Sequence, residues 1–542
     1  MFEVELDRFV DRDKSIEYYL RYWRTDIEGL ISGRENWSRF YRGIDSLPAA
    51  LRFGTSGIRG TAAIVDKPEL TSLHAYALGK ALRSIGKKLV IAHDCRVSNT
   101  AISYGLASGF ISQGGDVHYL GYATTGNVQW AIRVGDSDIG AMITAPHNPP
   151  PDNGIKVFGS DGIELSDTDT NIVQKRYLDI YRSFKLSDRF DSFLEDKIPI
   201  IDRNRVIIDD TPKYSYVSRI REEFSPHLDR LHKLMDGDII LIDAGHSVGS
   251  MYIPEIFAEL DTKVLFGTMD GMFPGRHSEP TTTNLHRFLD YINDHDVFLG
   301  FAIDGDADRC VFAVKTDEKA VIPNLNDLAS LFILAGLKEY SHIDKKPFVA
   351  KTTTTTELAV AIAKKFNAKI VETPVGARFL GNTLVEAKKN GMFPIVGVEE
   401  SAGIVYEEFT AGKDGFFAFA KLLKYLAGEN KRLEKALQDL KDYGVYHRFK
   451  TNVKLRDNSF KQRLLQECEI ILRDRNGKIE YVREALKFIS EDGWIVVRAS
   501  GTEPKFRIYA EAKNPRQIDN ILTKIIAAVN RYAEHRVEYT GF

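Results

Sequence analysis

Three aspartates on alternate residues, Asp304, Asp306 and Asp308, follow a wholly apolar run at residues 297–303. If that run is a β-strand, the chain turns at Gly305 and the three side chains converge on one point. Carboxylates held that close repel one another strongly unless a cation lies among them. The pattern therefore predicts a site for a hard divalent cation, and Mg²⁺ fits all-oxygen ligands well. The alternative is a solvated acidic turn, since Asp-Gly-Asp is also common in turns.

Two loops elsewhere in the chain carry the residue types that bind phosphate. Residues 52–60 contain three glycines, two hydroxyl side chains and Arg59, and residues 498–507 contain Ser-Gly-Thr with two arginines and a lysine. Glycine lets backbone amides face an anion, and arginine adds charge-assisted hydrogen bonds. The first loop, taken alone, is compatible with a simple flexible loop. In the second, the coincidence of all these groups favours a phosphate-binding loop over a solvated basic hairpin.

The elements that would position these loops alternate between strand and helix. Strands are predicted at residues 89–92, 117–120 and 139–144, and strand–loop–helix units recur near residues 238–249 and 347–378. This alternation indicates mostly parallel sheets with crossover helices, whose functional loops gather at the carboxyl ends of the strands. The last hundred residues differ, because two strands and an amphipathic helix flank the second loop.

The third predicted strand runs into a stiff loop. Four prolines (Pro146, Pro149, Pro150 and Pro151) lie within six positions of this loop, after which the chain returns as a hairpin. A rigid loop at the carboxyl end of a strand is a suitable place for chemistry.

Length and composition exclude several classes of protein. A chain of 542 residues is too long for one core and suggests about three to five domains. A net charge of −3 argues against wholesale nucleic-acid binding. The cysteines (Cys95, Cys310 and Cys468) form no disulfide framework, so a reducing cytoplasm and buried thiols are expected. No apolar run approaches the length of a membrane span, and the acidic start does not resemble a signal peptide.

Five motifs in this order resemble those of the α-D-phosphohexomutase family, the phosphoglucomutases and phosphomannomutases. They are Thr-Ser-Gly-x-Arg-Gly at residues 55–60, the proline loop at 144–149, Asp-Gly-Asp-x-Asp-Arg at 304–309, Glu-Glu-Ser at 399–401 and Arg-x-Ser-Gly-Thr-Glu-Pro at 498–504. The resemblance implies four domains around a central cleft. The first three would share an α/β mixed-sheet topology, and the fourth would be a smaller α+β phosphate-binding domain. The expected limits are 1–46 for an N-terminal helical extension, then 47–203, 204–316, 317–440 and 441–542 for domains I to IV.

The resemblance also implies an activity. Family members isomerise a hexose 1-phosphate and 6-phosphate through a sugar 1,6-bisphosphate, using a phosphoserine and Mg²⁺. The implied metal ligands are Asp304, Asp306 and Asp308, and the implied catalytic groups are Arg59, His147, Lys156 and Lys413. The implied substrate-binding residues are Thr55, Ser56, Arg309, Gly376, Arg378, Glu399, Ser401, Arg498, Ser500, Gly501, Thr502 and Arg507. The expected partners are small hexose phosphates only, with no nucleic acid or membrane, for a monomer or homodimer.

The sequence departs from the family at the serine that carries the phosphoryl group. Pro146 stands at that position, and proline has no hydroxyl to phosphorylate. Three explanations follow. Thr144 is a substitute nucleophile, or the proline arose in cloning. Otherwise the chain binds sugar phosphates without mutase turnover, or passes a phosphoryl group directly from a bound bisphosphate to another acceptor. In addition, Arg378 replaces a lysine that relatives often carry, and the loop at residues 399–403 lacks a histidine of some phosphomannomutases. The second difference favours glucose over mannose.

Overall fold

The computed structural model describes residues 47–54, 57–62, 68–185, 199, 201–401, 403–473, 475–483, 485–500 and 504–541. The predicted helical extension at residues 1–46 lies outside the described residues. The chain divides into two compact units. Unit 1 comprises Met1–Pro323 and Gly403–Glu434, and unit 2 comprises Asn324–Ala402 and Lys435–Phe542.

The first sheet of unit 1 has six strands. They are β1 (Gly57–Thr61), β2 (Lys88–His93), β3 (Asp116–Tyr122), β4 (Ile139–Ile143), β5 (Asp152–Phe158) and β6 (Val206–Ile208), accompanied by helices α1 (Ser72–Leu82), α2 (Asn99–Ile111), α3 (Thr125–Val134) and α4 (Asp167–Arg182). The order is β1-β5-β4-β2-β3-β6, and only β5 runs antiparallel to its neighbours. Residues 89–92 of β2 and the whole of β4 are continuous apolar runs because helices cover both faces of the sheet. The three strands predicted here are confirmed.

The second sheet of unit 1 carries the aspartate motif. Its strands are β7 (Ile239–Asp243), β8 (Thr262–Leu265), β9 (Val297–Ile303), β10 (Cys310–Lys315) and β11 (Ala320–Val321), with helices α5 (Pro212–Phe224), α6 (Leu228–Met235), α7 (Ile253–Ile256) and α8 (His286–Asp294). The order is β11-β10-β9-β7-β8. Strand β7 pairs in parallel with β8 and β9, whereas β9 and β10 form an antiparallel hairpin. The aspartates lie in the turn of that hairpin.

Unit 2 begins with a parallel arrangement. Its elements are α9 (Leu325–Glu339), β12 (Pro347–Thr352), α10 (Glu357–Lys365), β13 (Lys369–Thr373), α11 (Ala377–Lys389) and β14 (Phe393–Val398). Strand β12 lies between β13 and β14 and pairs in parallel with both. This is the strand–loop–helix pattern predicted from the sequence.

The chain then returns to unit 1 for a short segment, residues 403–434. It contains β15 (Ile404–Val405) and α12 (Gly415–Glu429), and α13 (Leu433–Gln438) follows. Helix α12 packs on the second sheet of unit 1, where the Phe419 ring stacks on Phe301 of β9 with 4.2 Å between centroids. This contact anchors the start of α12 close to the aspartate turn.

The chain ends in unit 2 with a five-stranded antiparallel sheet. Its elements are β16 (His447–Lys454), α14 (Phe460–Arg473), β17 (Lys478–Val482), β18 (Ala485–Ile489), β19 (Gly493–Ala499), β20 (Lys505–Ala512) and α15 (Pro515–Asn530). The order is β16-β20-β19-β18-β17. The predicted fold class, three α/β domains followed by a smaller α+β domain, is confirmed, while the domain limits stay a prediction. Among the described helices, none is long and apolar enough to cross a membrane.

Candidate active site

The proline loop and the aspartate turn of unit 1 touch each other. A Cβ added to Gly305 would lie 2.9 Å from the main-chain oxygen of Pro146. Glycine is needed at this position because the two backbones approach so closely. The left-handed residue of the turn is Ala307, with φ of 57°, so the chain reverses two residues later than the sequence suggested. Pro146 therefore lies directly beside the aspartates.

The three aspartates converge as predicted. One oxygen from each lies within 4.8 Å of the others, and all three residues are buried. In each carboxylate one oxygen accepts hydrogen bonds from the protein, as Asp304 Oδ1 does from the Arg309 amide at 3.2 Å. The other oxygens, Asp304 Oδ2, Asp306 Oδ1 and Asp308 Oδ1, accept none from the described residues. Because a buried oxygen without a hydrogen bond is costly, this donor set fits a divalent cation.

A lysine also lies among the carboxylates. Lys156 Nζ on β5 is 2.6 Å from Asp306 Oδ2 and 2.7 Å from Asp308 Oδ2. Lys413 Nζ lies 3.6 Å from the same oxygen of Asp308. Burial lowers the pKa of the Lys156 ammonium, but the two carboxylates outweigh burial and raise it. Two ammonium groups therefore relieve part of the carboxylate repulsion, in addition to any bound cation.

The aspartates differ in how they are neutralised. Burial, followed by the charges of Asp308 and Asp306, raises the pKa of Asp304 well above its ordinary value. Burial acts in the same direction on Asp308, but Lys156, Lys413 and other cationic neighbours hold its pKa well below the ordinary value. Asp304 is therefore the carboxylate that gains most from an added cation.

His147 faces Asp304 from the proline loop. Its Nε2 is 3.5 Å from Asp304 Oδ2, and both ring nitrogens are buried without a hydrogen bond from the described residues. Burial, and then the positive charge of Arg309, holds the pKa of His147 well below its ordinary value. The ring is thus a neutral imidazole beside the cation site.

Two helix N-termini hold the aspartate turn, which the sequence did not indicate. At the start of α3, the Thr125 hydroxyl donates to Asp306 Oδ2 at 2.6 Å and its amide to the main-chain oxygen of Asp306. At the start of α12, the Gly415 amide donates to the main-chain oxygen of Ala307. Asp414 caps this second helix by accepting from the Phe417 amide. The cap also fixes the neighbouring Lys413 near the turn.

A buried arginine holds the proline loop, and the sequence did not indicate this role either. The Arg96 guanidinium donates hydrogen bonds to four main-chain oxygens of the loop, those of Ala145, Asn148, Pro149 and Asp152. Arg96 is 2% exposed. The only sequence signal for this role was that Arg96 follows β2, because the carboxyl end of β2 lies next to the loop that follows β4.

Thr144 has a structural contact. Its hydroxyl donates to Asp94 Oδ2 at 2.7 Å, and the residue is 1% exposed. Asp94 also pairs with Arg96. This placement does not favour Thr144 as a substitute phosphoryl acceptor, because its hydroxyl is both engaged and buried.

Arg59 joins the same group of residues. It lies on β1, opposite Gly154 of β5, and donates to Asn148 Oδ1 at 2.8 Å. The structure thus brings Arg59, His147, Lys156, Lys413 and the aspartates together in unit 1. Thr55 and Ser56, also expected here, lie outside the described residues.

Two loops of unit 2 form a second polar cluster. Glu399 accepts from the Gly376 amide at 3.1 Å and from the Ser401 hydroxyl at 3.1 Å. Arg378, the second residue of α11, is buried and lies against the Phe379 ring. These two contacts orient the Glu399 carboxylate.

The last motif lies on the antiparallel sheet of unit 2. Arg498 of β19 is directly opposite Arg507 of β20, and both are half-buried. Like charges in opposed positions destabilise a sheet, so an anion between them would be favourable. Ser500 follows, with its main-chain oxygen accepting from Lys461 at 2.6 Å. Gly501 and Thr502 lie outside the described residues.

The chain matches the models of one known protein family, domain by domain. Models described as phosphoglucomutase/phosphomannomutase alpha/beta/alpha domains I, II and III match residues 50–183, 215–318 and 326–443, and the C-terminal domain matches residues 451–528. The matches follow the chain in the family's order.

Individual relatives agree with the family models. A phosphoglucomutase/phosphomannomutase of Thermococcus kodakarensis is 30% identical over 85% of this chain and 94% of its own length. A phosphoglucosamine/phosphogalactosamine mutase of Sulfurisphaera tokodaii is 29% identical over 87% and 98%. The crystal structure of parafusin, a phosphoglucomutase from Paramecium, has a TM-score of 0.71 at 20% identity, covering 92% of this chain and 98% of parafusin. The structural likeness concerns the fold alone.

Proposed function

Because the chain belongs to the phosphoglucomutase/phosphomannomutase family of phosphohexomutases, we propose that it interconverts hexose 1-phosphate and hexose 6-phosphate through a sugar 1,6-bisphosphate. The observation that carries this proposal is the convergence of three carboxylates, Lys156 and the proline loop in unit 1. Such a site binds a phosphoryl group by charge and position rather than by covalent chemistry.

Each charged group of unit 1 has a proposed role. Asp304, Asp306 and Asp308 would hold Mg²⁺, which when bound stabilises negative charge on the transferred phosphoryl group. Lys156 and Lys413 add positive charge from the protein itself. Arg59 binds phosphate oxygens beside them, since its guanidinium is fixed by Asn148 at the rim of the loop.

Unit 2 would bind a sugar phosphate through groups of its own. Arg498 and Arg507 bind a phosphate group, because an anion relieves their mutual repulsion. Glu399 accepts hydrogen bonds from sugar hydroxyls, and Ser401 and Gly376 orient its carboxylate. We propose glucose as the preferred hexose, with glucosamine as the competing candidate suggested by a relative's name.

Pro146 supports a second candidate function, which is the binding of phosphosugars without turnover. Without a hydroxyl at this position, no phosphoenzyme forms there. Turnover then requires that a sugar bisphosphate donate its phosphoryl group directly to a hydroxyl of the hexose monophosphate, leaving a monophosphate as product. A chain unable to do this would be a phosphosugar-binding protein without turnover. The buried hydroxyl of Thr144 supplies no ready replacement.

The decisive experiment is a coupled assay with glucose 1-phosphate and Mg²⁺, with and without glucose 1,6-bisphosphate. The parent is compared with Pro146→Ser and with Pro150→Ser, a control that makes the same replacement elsewhere in the loop. Turnover by the parent only with bisphosphate supports direct transfer. Turnover by Pro146→Ser alone supports the binding function.

Binding and sugar preference are measured in parallel. Thermal shifts with glucose 1,6-bisphosphate report binding without turnover, and the assay is repeated with mannose and glucosamine phosphates. If neither the parent nor Pro146→Ser turns over or is stabilised by any of these sugars, the proposed function is wrong.

A further inference from the structure

We propose that His147 is the fourth protein ligand of the cation held by Asp304, Asp306 and Asp308. The inference rests on the cation site of the proposed function and adds a nitrogen ligand to it. It starts from the proline at position 146, which offers no side-chain oxygen to a cation. The neighbouring residue, His147, is the side chain of this loop that faces the aspartates.

The distance between the two donor atoms suits coordination of one ion. His147 Nε2 lies 3.5 Å from Asp304 Oδ2, the oxygen of Asp304 that accepts no hydrogen bond from the described residues. Metal–ligand bonds of about 2.1 Å place neighbouring donor atoms roughly 3.0 to 3.5 Å apart. A cation between them thus requires only a small adjustment of the imidazole.

The ring nitrogens of His147 are both buried, and neither makes a hydrogen bond with the described residues. A buried polar group left in this state is costly, and a cation would satisfy one nitrogen together with Asp304 Oδ2. One ion therefore accounts for two otherwise unexplained buried groups.

The loop holds His147 in place for this role. Arg96 binds the main-chain oxygens of Ala145 and Asn148, on either side of Pro146 and His147. Proline fixes its own φ, which further restricts the backbone that presents the imidazole. A ligand on so rigid a segment loses little conformational freedom when it binds a metal.

The ligand set has a consequence for metal preference. Three carboxylate oxygens alone suit Mg²⁺, whereas an imidazole nitrogen favours transition metals. We therefore expect Mn²⁺ and Co²⁺ to bind at least about tenfold more tightly than Mg²⁺.

The test uses Mn²⁺ as a spectroscopic probe with the full-length, metal-stripped chain and no sugar. Pulsed electron paramagnetic resonance is expected to detect nitrogen-14 coupling from one directly bound imidazole. His147→Gln should lose this coupling and bind Mn²⁺ about tenfold more weakly, with an unchanged circular dichroism spectrum. The control His118→Gln alters a histidine of β3 that contacts the main-chain oxygen of Asp209, and should behave as the parent.

The outcomes separate this inference from the proposed function. Asp304→Asn should weaken Mn²⁺ binding whichever residue is the fourth ligand, so it tests the carboxylate site by itself. Mn²⁺ bound without nitrogen coupling, or coupling that survives in His147→Gln and His147→Ala, would overturn the inference. So would an acid-labile phosphoryl label on His147 after incubation with labelled glucose 1,6-bisphosphate, because His147 would then be a phosphoryl carrier.

Discussion

At the scale of single residues, Arg96 illustrates how one buried side chain fixes a functional loop. Its guanidinium is the donor for four loop carbonyls and also pairs with Asp94. A planar group with five donors can satisfy this many acceptors, and a lysine ammonium cannot. The backbone of the proline loop therefore depends on an arginine that lies fifty residues away in sequence.

We expect Arg96→Lys to lower the free energy of unfolding by about 2 to 4 kcal/mol, because several buried carbonyls lose their donors. Urea unfolding followed by near-ultraviolet circular dichroism measures the loss. The control is Arg83→Lys, which changes a part-buried arginine that donates to a single carbonyl, that of Gly86. Equal losses in the two variants would contradict the importance of the four-carbonyl contact.

Gly305 is the other residue on which the site depends. An alanine Cβ would lie 2.9 Å from the main-chain oxygen of Pro146, and this neighbour is backbone rather than the end of a flexible side chain. Gly305→Ala should destabilise the chain by about 1 to 3 kcal/mol and weaken cation binding, as calorimetry can measure.

A second glycine supplies the control for this substitution. Gly428 lies inside α12 with no other atom within 4 Å of an added Cβ. Gly428→Ala should therefore stabilise the chain by about 0.5 to 1 kcal/mol, since alanine is the better helix former. A stabilising Gly305→Ala would mean that the two loops do not touch in solution.

At the scale of elements, the N-termini of α3 and α12 organise the aspartate turn. Each helix donates a main-chain amide to the turn, and Asp414 is the cap of α12. The buried Tyr216 of α5 donates its hydroxyl to Asp414 Oδ2 at 2.6 Å. The position of Lys413 thus depends on contacts between helices that are far apart in the chain.

This cap makes stability depend on pH in a specific direction. Burial raises the pKa of Asp414 to about 7, above the value of about 3.9 expected in the unfolded chain. The folded chain therefore binds this proton more tightly, and its stability falls as the pH rises from about 4 to about 7. Asp414→Asn retains an oxygen for the Phe417 amide but does not titrate.

The melting temperature of Asp414→Asn relative to the parent should accordingly rise with pH across this range. The underlying difference amounts to at most about 1.4 kcal/mol per pH unit. Calorimetric scans of both proteins at a series of pH values measure it. Curves that stay parallel from about pH 4 to pH 8 would contradict the raised pKa.

At the scale of the whole molecule, the chain does not complete unit 1 before it starts unit 2. Unit 1 ends its first stretch at Pro323 and is completed only by residues 403–434. That returning segment supplies Lys413, Asp414 and the Phe419 ring that stacks on Phe301. Folding of the aspartate turn therefore depends on sequence on both sides of residues 324–402.

A fragment of residues 1–323 should consequently lack fixed aromatic packing and bind a hydrophobic dye. Adding a peptide of residues 403–434 should restore near-ultraviolet circular dichroism, because it replaces the missing cover of β9. The control peptide has Phe416 and Phe419 replaced by alanine and should fail. A fragment that packs natively by itself would show that the returning segment is dispensable.

The sequence alone determined the local features of this protein. The bounds of β9 agree with the predicted residues 297–303, because a continuous apolar run is a property of neighbouring residues. The convergence of Asp304, Asp306 and Asp308 followed for the same reason, since one turn of one hairpin contains all three. The order of the motifs identified the family.

Only the tertiary structure decided which partners the distant groups of the site contact. Lys156 pairs with aspartates about 150 residues away, and Thr125 with one 181 residues away. No periodicity or motif links such residues, because these contacts depend on the order of strands in a sheet and on helix packing. The contacts of Arg96 with the proline loop and of His147 with Asp304 belong to the same class. Their chemistry comes from burial beside particular partners, and burial is a property of the folded chain.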